Sequence, residues 1–384
     1  MTVHDLFHRP DADRGAALAG MFLTPATRCE RAVSELRHGR PVILHDDAGT
    51  LAVMALDAAS PRQLAQMAAA SAGRHWLFLT AERMRRLGAR AEGGAAVPMA
   101  GRDFDAASRL AYLPGESLPA DWRPAPAAAT AAAELANLGL LLPAMVCTEL
   151  PRGPAAFAGC LEIDGADLAA MAAERQRFEI VVRTPVPLRD LGMCDFVVFR
   201  GGVSQKDQVA IVVGTPDLSG PVPVRIHSSC LTGDLSGSLK CDCGDQLRGG
   251  LKALAAAGGG VLLYLDQEGR GTGIGAKMRA YGYQHAGHDT IDADAELGFG
   301  PDHRRYEAAV AMLRLLGIAT VDLHTNNPTK IAALAGSGLT VAGRTAVTGR
   351  ITAENAEYLR TKSARAGHML DCLPGLSSAF VAGR

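Results

Sequence analysis

VLLYLDQEGRGTGIGAKMRAYGYQHAG occupies residues 261–287 and falls into three parts. VLLYLDQ (261–267) is a continuous apolar run of strand length. AKMRAYGYQHAG (276–287) is rich in helix formers and ends in glycine. The turn between them alternates Gly269, Gly271, Gly273 and Gly275. Glycines let backbone amides approach an anion closely, and the amides of a following helix N-terminus are unpaired. Arg270, Lys277 and Arg279 are interleaved with them, which favours phosphate contact over a solvated surface loop. GTGIGA (271–276) lends a dinucleotide-binding reading weak support. An apolar strand, a glycine turn and a helix in succession form the unit of an α/β fold.

The alternation continues on both sides. GDQLRGGLKALAAAG (244–258) is expected as a helix, and DHRRYEAAVAMLRLLG (302–317) as another, with Tyr306, Val310, Leu313 and Leu316 at helical spacing. TVDLHT (320–325) is a strand, Asn327 and Pro328 open a helix, and ENAEYLRTKSARAGHM (354–369) forms a last one. DFVVFRGG and QVAIVVG, which follow a composition change at 181–192, read as two strands. Upstream, RCERAVSELRHGRPVILH (28–45) is a helix and then a strand. TLAVMALDA (50–58) is a second strand, Ser60 and Pro61 start a helix, and HWLFLT precedes AERMRRLG (81–88). The Ala- and Pro-rich stretch 114–135 is a linker, an excursion or a helix lead-in. The chain is therefore expected as a two-domain α/β (α+β) protein, with domains 1–178 and 179–370 and a tail 371–384. No internal repeat is present.

Bulk properties exclude several functions. The 384 residues carry a net charge of −1, so no global basic field holds nucleic acid or an anionic membrane. The run LGLLLPAMVC (138–147) contains a proline and falls short of the roughly 20 residues that span a bilayer. The N-terminus lacks a basic region followed by an apolar core, so no secretory signal is expected. Eight cysteines scattered through a long chain point to a reducing cytoplasm, with clustered thiols kept for metal or chemistry.

HSSCLTGDLSGSLKCDCGDQLR (227–248) clusters Cys230, Cys241 and Cys243 as C-x10-C-x-C. The intervening glycines and turn formers suit a hairpin-like return. Three sulfurs and one open position are the arrangement of a catalytic zinc that holds water. A closed structural site completed by His227 or another thiol also fits the spacing, as do three reduced thiols without metal. Two further features favour anions. In LGFGPDHRRYE (297–307), Asp302 lies two residues before Arg304 at an expected helix start, although taken alone it reads as a cap beside a solvated arginine. In HTNNPTK (324–330), Thr325 and Lys330 flank a helix N-terminus. One thiolate site with anion-friendly loops at strand ends suggests metal-assisted hydrolysis of a nucleotide.

From Arg225 to Met369 the chain resembles GTP cyclohydrolase II. RIHSSCLTGD, GSLKCDCG-x-QL, LLYLDQEGRG, K-x-RAY, DT-x-DA-x-x-x-LGF-x-x-D-x-R, TNNP-x-K and YL-x-TK-x-x-x-GH stand in that family's order and spacing. The resemblance implies that Cys230, Cys241 and Cys243 hold one zinc, whose water attacks C8 of guanine. It implies Tyr281 as a polar partner near the opening ring. Arg304 is implied as nucleophile toward the α-phosphate, positioned or activated by Asp302. Arg225, Gln246, Glu268, Arg270, Thr290, Thr325 and Lys330 are implied to bind GTP, with magnesium on the triphosphate. Formate and pyrophosphate leave a diaminopyrimidinone ribosyl phosphate, in the first step of riboflavin synthesis. A cytoplasmic homodimer, with no nucleic-acid or membrane partner, completes the expectation. The family usually has Glu at Ser229, an aliphatic residue at Thr272 and Asn at Ala276, positions that bear on base selectivity and rate. Two rival readings are a paralogue acting on another nucleotide such as UTP and a non-catalytic zinc-stabilised nucleotide sensor.

The N-terminal half resembles the start of dihydroxybutanone phosphate synthase through RCERAVSELRHGRPVILHDD (28–47) and FLTAERMRRLG. That family's metal-binding loop is a dense acidic run after the strand. Here Asp46 and Asp47 are followed by AGTLAV, so the carboxylates that hold magnesium and abstract protons are missing. This half is expected to be a degenerate synthase domain.

Overall fold

The computed structural model describes residues 24–47, 49–150, 155–203, 206–300 and 302–369. Contacts divide these residues into two compact units. One joins the chain up to Glu174 with Thr272–His303; the other joins Arg175–Gly271 with the chain from Arg304. The composition change near residue 178 lies close to the first of these junctions, whereas nothing in the composition marks residues 272–303 as belonging with the N-terminal half.

The first unit holds a seven-stranded sheet. Its strands are β1 (Val42–Asp46), β2 (Gly49–Ala55), β3 (Trp76–Leu79), β4 (Ala95–Pro98), β5 (Arg123–Pro124), β6 (Met145–Glu149) and β7 (Leu161–Asp164), in the order β5-β4-β3-β6-β2-β1-β7. All neighbours are antiparallel except β1 and β7. Local chemistry sets the helix starts. Ser60 accepts the Gln63 amide while Gln63 accepts the Ser60 amide, a reciprocal cap that opens Pro61–Ala70. Leu64 and Met67 on that helix pack with Ile43, Met54, Leu77, Leu79, Val97 and Val146 from the sheet. The Ala- and Pro-rich stretch resolves into a lead-in to the helix Ala127–Leu138, where Ala129, Ala132 and Ala136 are wholly buried.

The second unit holds β8 (Phe178–Leu188), β9 (Gly192–Gly201), β10 (Lys206–Gly214), β11 (Val222–Ser228), β12 (Gly259–Leu265), β13 (Thr320–His324) and β14 (Thr340–Thr345). Their order is β14-β13-β11-β12-β10-β9-β8. The run from β8 to β12 is antiparallel, and β12, β11, β13 and β14 are mutually parallel. The composition change at 181–192 lies in β8 and the turn after it. Pro185 and Pro187 are tolerated there because β8 is an edge strand. The parallel strands end on the same side, so the loops after β11, β12 and β13 gather at one edge, the usual ligand position in such sheets.

Two expectations need correction. The helix expected over 302–317 runs Glu307–Leu315. The Gln267 side-chain amide donates to the Arg305 carbonyl, and Tyr306 is buried, so residues 302–306 stay outside the helix and Asp302 does not cap it. The helix expected over 276–287 runs Gly273–His285, which takes Gly275 into its first turn and shortens the glycine loop. Leu263 lies on β12 and is wholly buried among Val224, Ile226, Val310 and Leu323. Leu263→Ala is expected to destabilise this unit by about 2–5 kcal/mol, read as a lower urea midpoint with an unchanged slope.

Candidate functional site

The thiols meet beyond the end of β11. Cys230 follows that strand, Cys241 lies in the turn before the next helix, and Cys243 is the first residue of that helix, Cys243–Ala256. Their sulfurs all lie within 4.8 Å of one another, with Cys230 and Cys241 separated by 3.7 Å. The return between them is not a hairpin. Leu231–Leu235 forms one π-helical turn, closed by the Ser236 amide on the Leu231 carbonyl. Gly233 lies under the three thiols: a Cβ there would come within 2.9 Å of Cys241 Sγ and 3.1 Å of Cys230 Sγ. Shared hydrogen bonding with Cys230 raises the thiol pKa of Cys241 and of Cys243. A dication reverses that preference, because a coordinated thiol gives up its proton. Three converging soft donors fit a metal that takes three protein ligands.

Asp234 holds this turn in place. Its buried carboxylate accepts the Cys230 amide at 3.0 Å and the Tyr264 hydroxyl at 2.9 Å. His227 Nε2 lies 3.1 Å from both carboxylate oxygens, which assigns the proton to that nitrogen. Burial lowers the His227 pKa, with Asp234 opposing, and the imidazole stacks on Tyr264 at 5.6 Å. His227 is thus engaged by Asp234, and the group of potential metal donors contains the three cysteines without it. Asp234 and Tyr264 were not singled out by sequence reasoning. Their one signal was position, four residues after Cys230 and on the strand before the glycine turn.

A polar chain runs beside the thiols. Arg225, on β11, donates to the His324 carbonyl at 3.0 Å and to Gln246 Oε1 at 2.6 Å. Burial lowers its pKa to about 10, with Asp242 opposing the shift, and its Nε has no partner among the described residues. Gln246 donates in turn to Asp242. Lys362 approaches Asp242 at 3.9 Å and lies 4.2 Å over the Tyr358 ring. Burial opposes charge on Lys362, but Tyr358 and Asp242 outweigh it and raise its pKa. This lysine was also missed, although it stands in the YL-x-TK motif.

The anion loops occupy the same sheet edge. After β12, Glu268 accepts the Leu231 amide, which ties the glycine turn to the cysteine turn. Arg270 adopts φ +63°, a left-handed conformation that costs a non-glycine residue of order 1–3 kcal/mol. Ser229 Oγ accepts the Gln267 amide at 3.2 Å. After β13, the Thr325 hydroxyl accepts the Asn327 amide at 3.0 Å, and Lys330 Nζ donates to the Ile226 carbonyl at 2.7 Å. Arg304 is half-buried and lines a cavity of about 450 Å³ with Gln176, Arg305, Glu307, Arg314 and Ser337. Tyr281, Thr290 and Asp302 belong to the first unit. There Lys277 lies 5.7 Å over the Tyr281 ring, Thr290 Oγ1 accepts from Gln284 at 3.4 Å, and Asp302 is exposed.

The family model for GTP cyclohydrolase II matches residues 179–346. GTP cyclohydrolase-2 of Xylella fastidiosa (strain Temecula1 / ATCC 700964) is 57% identical over 352 residues, covering 91% of this chain and 88% of that protein. GTP cyclohydrolase-2 of Azotobacter vinelandii (strain DJ / ATCC BAA-1303) is 49% identical over 196 residues, 51% of this chain and 93% of that one. Among solved structures, a two-domain 3,4-dihydroxy-2-butanone 4-phosphate synthase from A. baumannii aligns at a TM-score of 0.30 and 20% identity, covering 84% of this chain and 100% of that one. Described helices include none long and apolar enough to cross a membrane. With 57% identity extending over most of both chains, this chain belongs to the GTP cyclohydrolase II family, a family of hydrolases.

Proposed function

We propose that the protein is a zinc-dependent GTP cyclohydrolase II. It hydrolyses GTP to formate, pyrophosphate and a diaminopyrimidinone ribosyl phosphate, in the first step of riboflavin synthesis, as a cytoplasmic homodimer. The observation that carries this reading is the convergence of Cys230, Cys241 and Cys243 within 4.8 Å in a chain of this family. These three residues would hold zinc. Zinc there would supply Lewis-acid chemistry for hydrolysis near neutral pH.

The remaining work falls to the chain's own groups. Asp234 fixes the backbone at Cys230 and so holds one corner of the donor triangle. Among the described residues the buried Arg225 Nε has no partner, and it lies beside Gln246, which suits a polar edge of the substrate. Glu268 and Arg270 present the turn after β12, and Thr325 and Lys330 the turn after β13, for the base and the phosphates. Thr290 is also assigned to GTP binding. Magnesium would ride on the triphosphate. Tyr281 acts near the opening ring. Arg304 acts at the α-phosphate, where pyrophosphate leaves, with Asp302 positioning it.

Ser229 supports keeping a second nucleotide in the test. Its short side chain is engaged with the Gln267 amide, where the family usually presents a carboxylate. For the N-terminal half we propose a degenerate synthase domain. The β1–β2 connection, where the acidic loop would lie, is closed by Asp46 accepting the Gly49 amide at 2.8 Å. His45 and Glu162, paired at 2.9 Å, do not restore a carboxylate cluster.

Purified protein with GTP, UTP or ATP is expected to release formate and pyrophosphate from GTP. No formate from GTP overturns the reading, and formate from UTP alone moves it to the paralogue. Cys241→Ser is expected to lose zinc and ring opening together. Arg304→Ala is expected to abolish pyrophosphate release with zinc retained, and loss of zinc in that variant contradicts its role. Gly233→Ala, whose methyl would press on two thiols, is expected to weaken zinc about 10–100-fold in a chelator competition. Turnover of ribulose 5-phosphate would refute the degenerate-domain proposal.

A further inference from the structure

Residues 272–303 lie inside the family match, yet they pack with the N-terminal half. The ties are specific. Arg83 is wholly buried; its guanidinium donates to the Leu110 carbonyl at 2.9 Å, to the Leu113 carbonyl at 2.6 Å and to Glu296. Glu296 is equally buried and also accepts from Arg86 at 2.7 Å. Asp57 pairs with Arg279 at 2.8 Å through one oxygen and accepts the Leu142 amide at 3.1 Å through the other. Tyr283 donates its hydroxyl to the Tyr112 carbonyl at 2.7 Å, and Thr80 donates to the Gly298 carbonyl at 2.8 Å. Leu142 completes an apolar cluster with Ala276, Ala280, Ala293, Leu297 and Phe299.

Two features make this more than incidental packing. A buried carboxylate survives only if its partners are supplied, and both partners of Glu296 come from the N-terminal half. Asp57 fixes Arg279, which is on the same helix as Tyr281 and Lys277 and two residues from each, so a residue outside the family match anchors that helix. The N-terminal half thus holds this segment through buried polar and apolar contacts.

We propose that the N-terminal half is a positioning scaffold for the cyclohydrolase reaction. It clamps residues 272–303 so that Tyr281 and Thr290 are held for use, and Asp57 is a positioning residue acting through Arg279. This rests on the roles proposed above for Tyr281 and Thr290. A misplacement of about 1 Å in a site can cost on the order of 100-fold in rate, so a scaffold of this kind is felt in turnover before it is felt in folding.

The test uses the full-length protein and the variants Asp57→Asn, Asp57→Glu and Tyr283→Phe. Asp57→Asn keeps an acceptor for the Leu142 amide and removes only the charge. Three quantities are read: kcat and KM for formate release from GTP, zinc content, and hydrogen–deuterium exchange of peptides within 273–300 and 243–265. Asp57→Asn is expected to lower kcat about 10–100-fold with zinc unchanged. Its exchange is expected to rise in 273–300 and not in 243–265, with Asp57→Glu restoring most of both and Tyr283→Phe showing a smaller change of the same kind. Unchanged kcat and KM in Asp57→Asn and Tyr283→Phe overturn the proposal even if exchange rises, and unchanged exchange in 273–300 overturns it as well. If the unmodified protein releases no formate, the functional reading fails by itself, and the exchange measurement still decides whether the clamp exists.

Discussion

A buried carboxylate has to be satisfied, and at Asp234 that requirement organises the thiol site. Desolvating a carboxylate costs several kcal/mol unless donors replace the lost water. Here the donors are the Cys230 amide, the Tyr264 hydroxyl and His227 Nε2. They come from the cysteine turn, from β12 and from β11, so one side chain locks the turn to two parallel strands. The direction of Cys230 follows, and with it the triangle completed by Cys241 and Cys243. Glu268 adds a second tie by accepting the Leu231 amide, which fixes the glycine turn to the cysteine turn.

The rest of the second unit serves this edge. Parallel pairing of β12, β11 and β13 makes three loops end on one side, and each loop carries residues suited to a nucleotide. Arg225 lies across two of them, reaching the carbonyl at the end of β13 while it holds Gln246 on the helix after the thiols. The antiparallel β8–β9–β10 extension widens the sheet, and β10 supports the β12 end, where Gln208 Oε1 accepts the Asp266 amide at 2.8 Å. The first unit has a different economy. Between β1 and β2, Asp46 accepts the Gly49 amide, while the contacts to residues 272–303 are many and largely buried.

Much of this was legible in the chain because it rests on local chemistry. The Ser60 cap before Pro61, the Asn327 cap before Pro328 and the apolar run of β12 depend on neighbours within a few residues, and each forms where expected. The cysteine spacing also sufficed to group the three thiols. Legibility failed where a distant partner competed with local preference. Residues 302–306 have helix-compatible sequence, but the Arg305 carbonyl is taken by Gln267 and the helix begins at Glu307. His227 looked like a fourth ligand because it is near in sequence; Asp234, folded back by the π-helical turn, engages it instead.

By itself, the sequence determined the family, the grouping of the three cysteines and most element positions, since spacing, capping and periodicity act over short separations. Only the tertiary structure decided which compact unit holds residues 272–303. That choice depends on Arg83 meeting Glu296 and Thr80 meeting Gly298 across more than two hundred residues. Pairings at such separations leave no periodic trace, because the energy that selects them arises only when both buried partners are brought together.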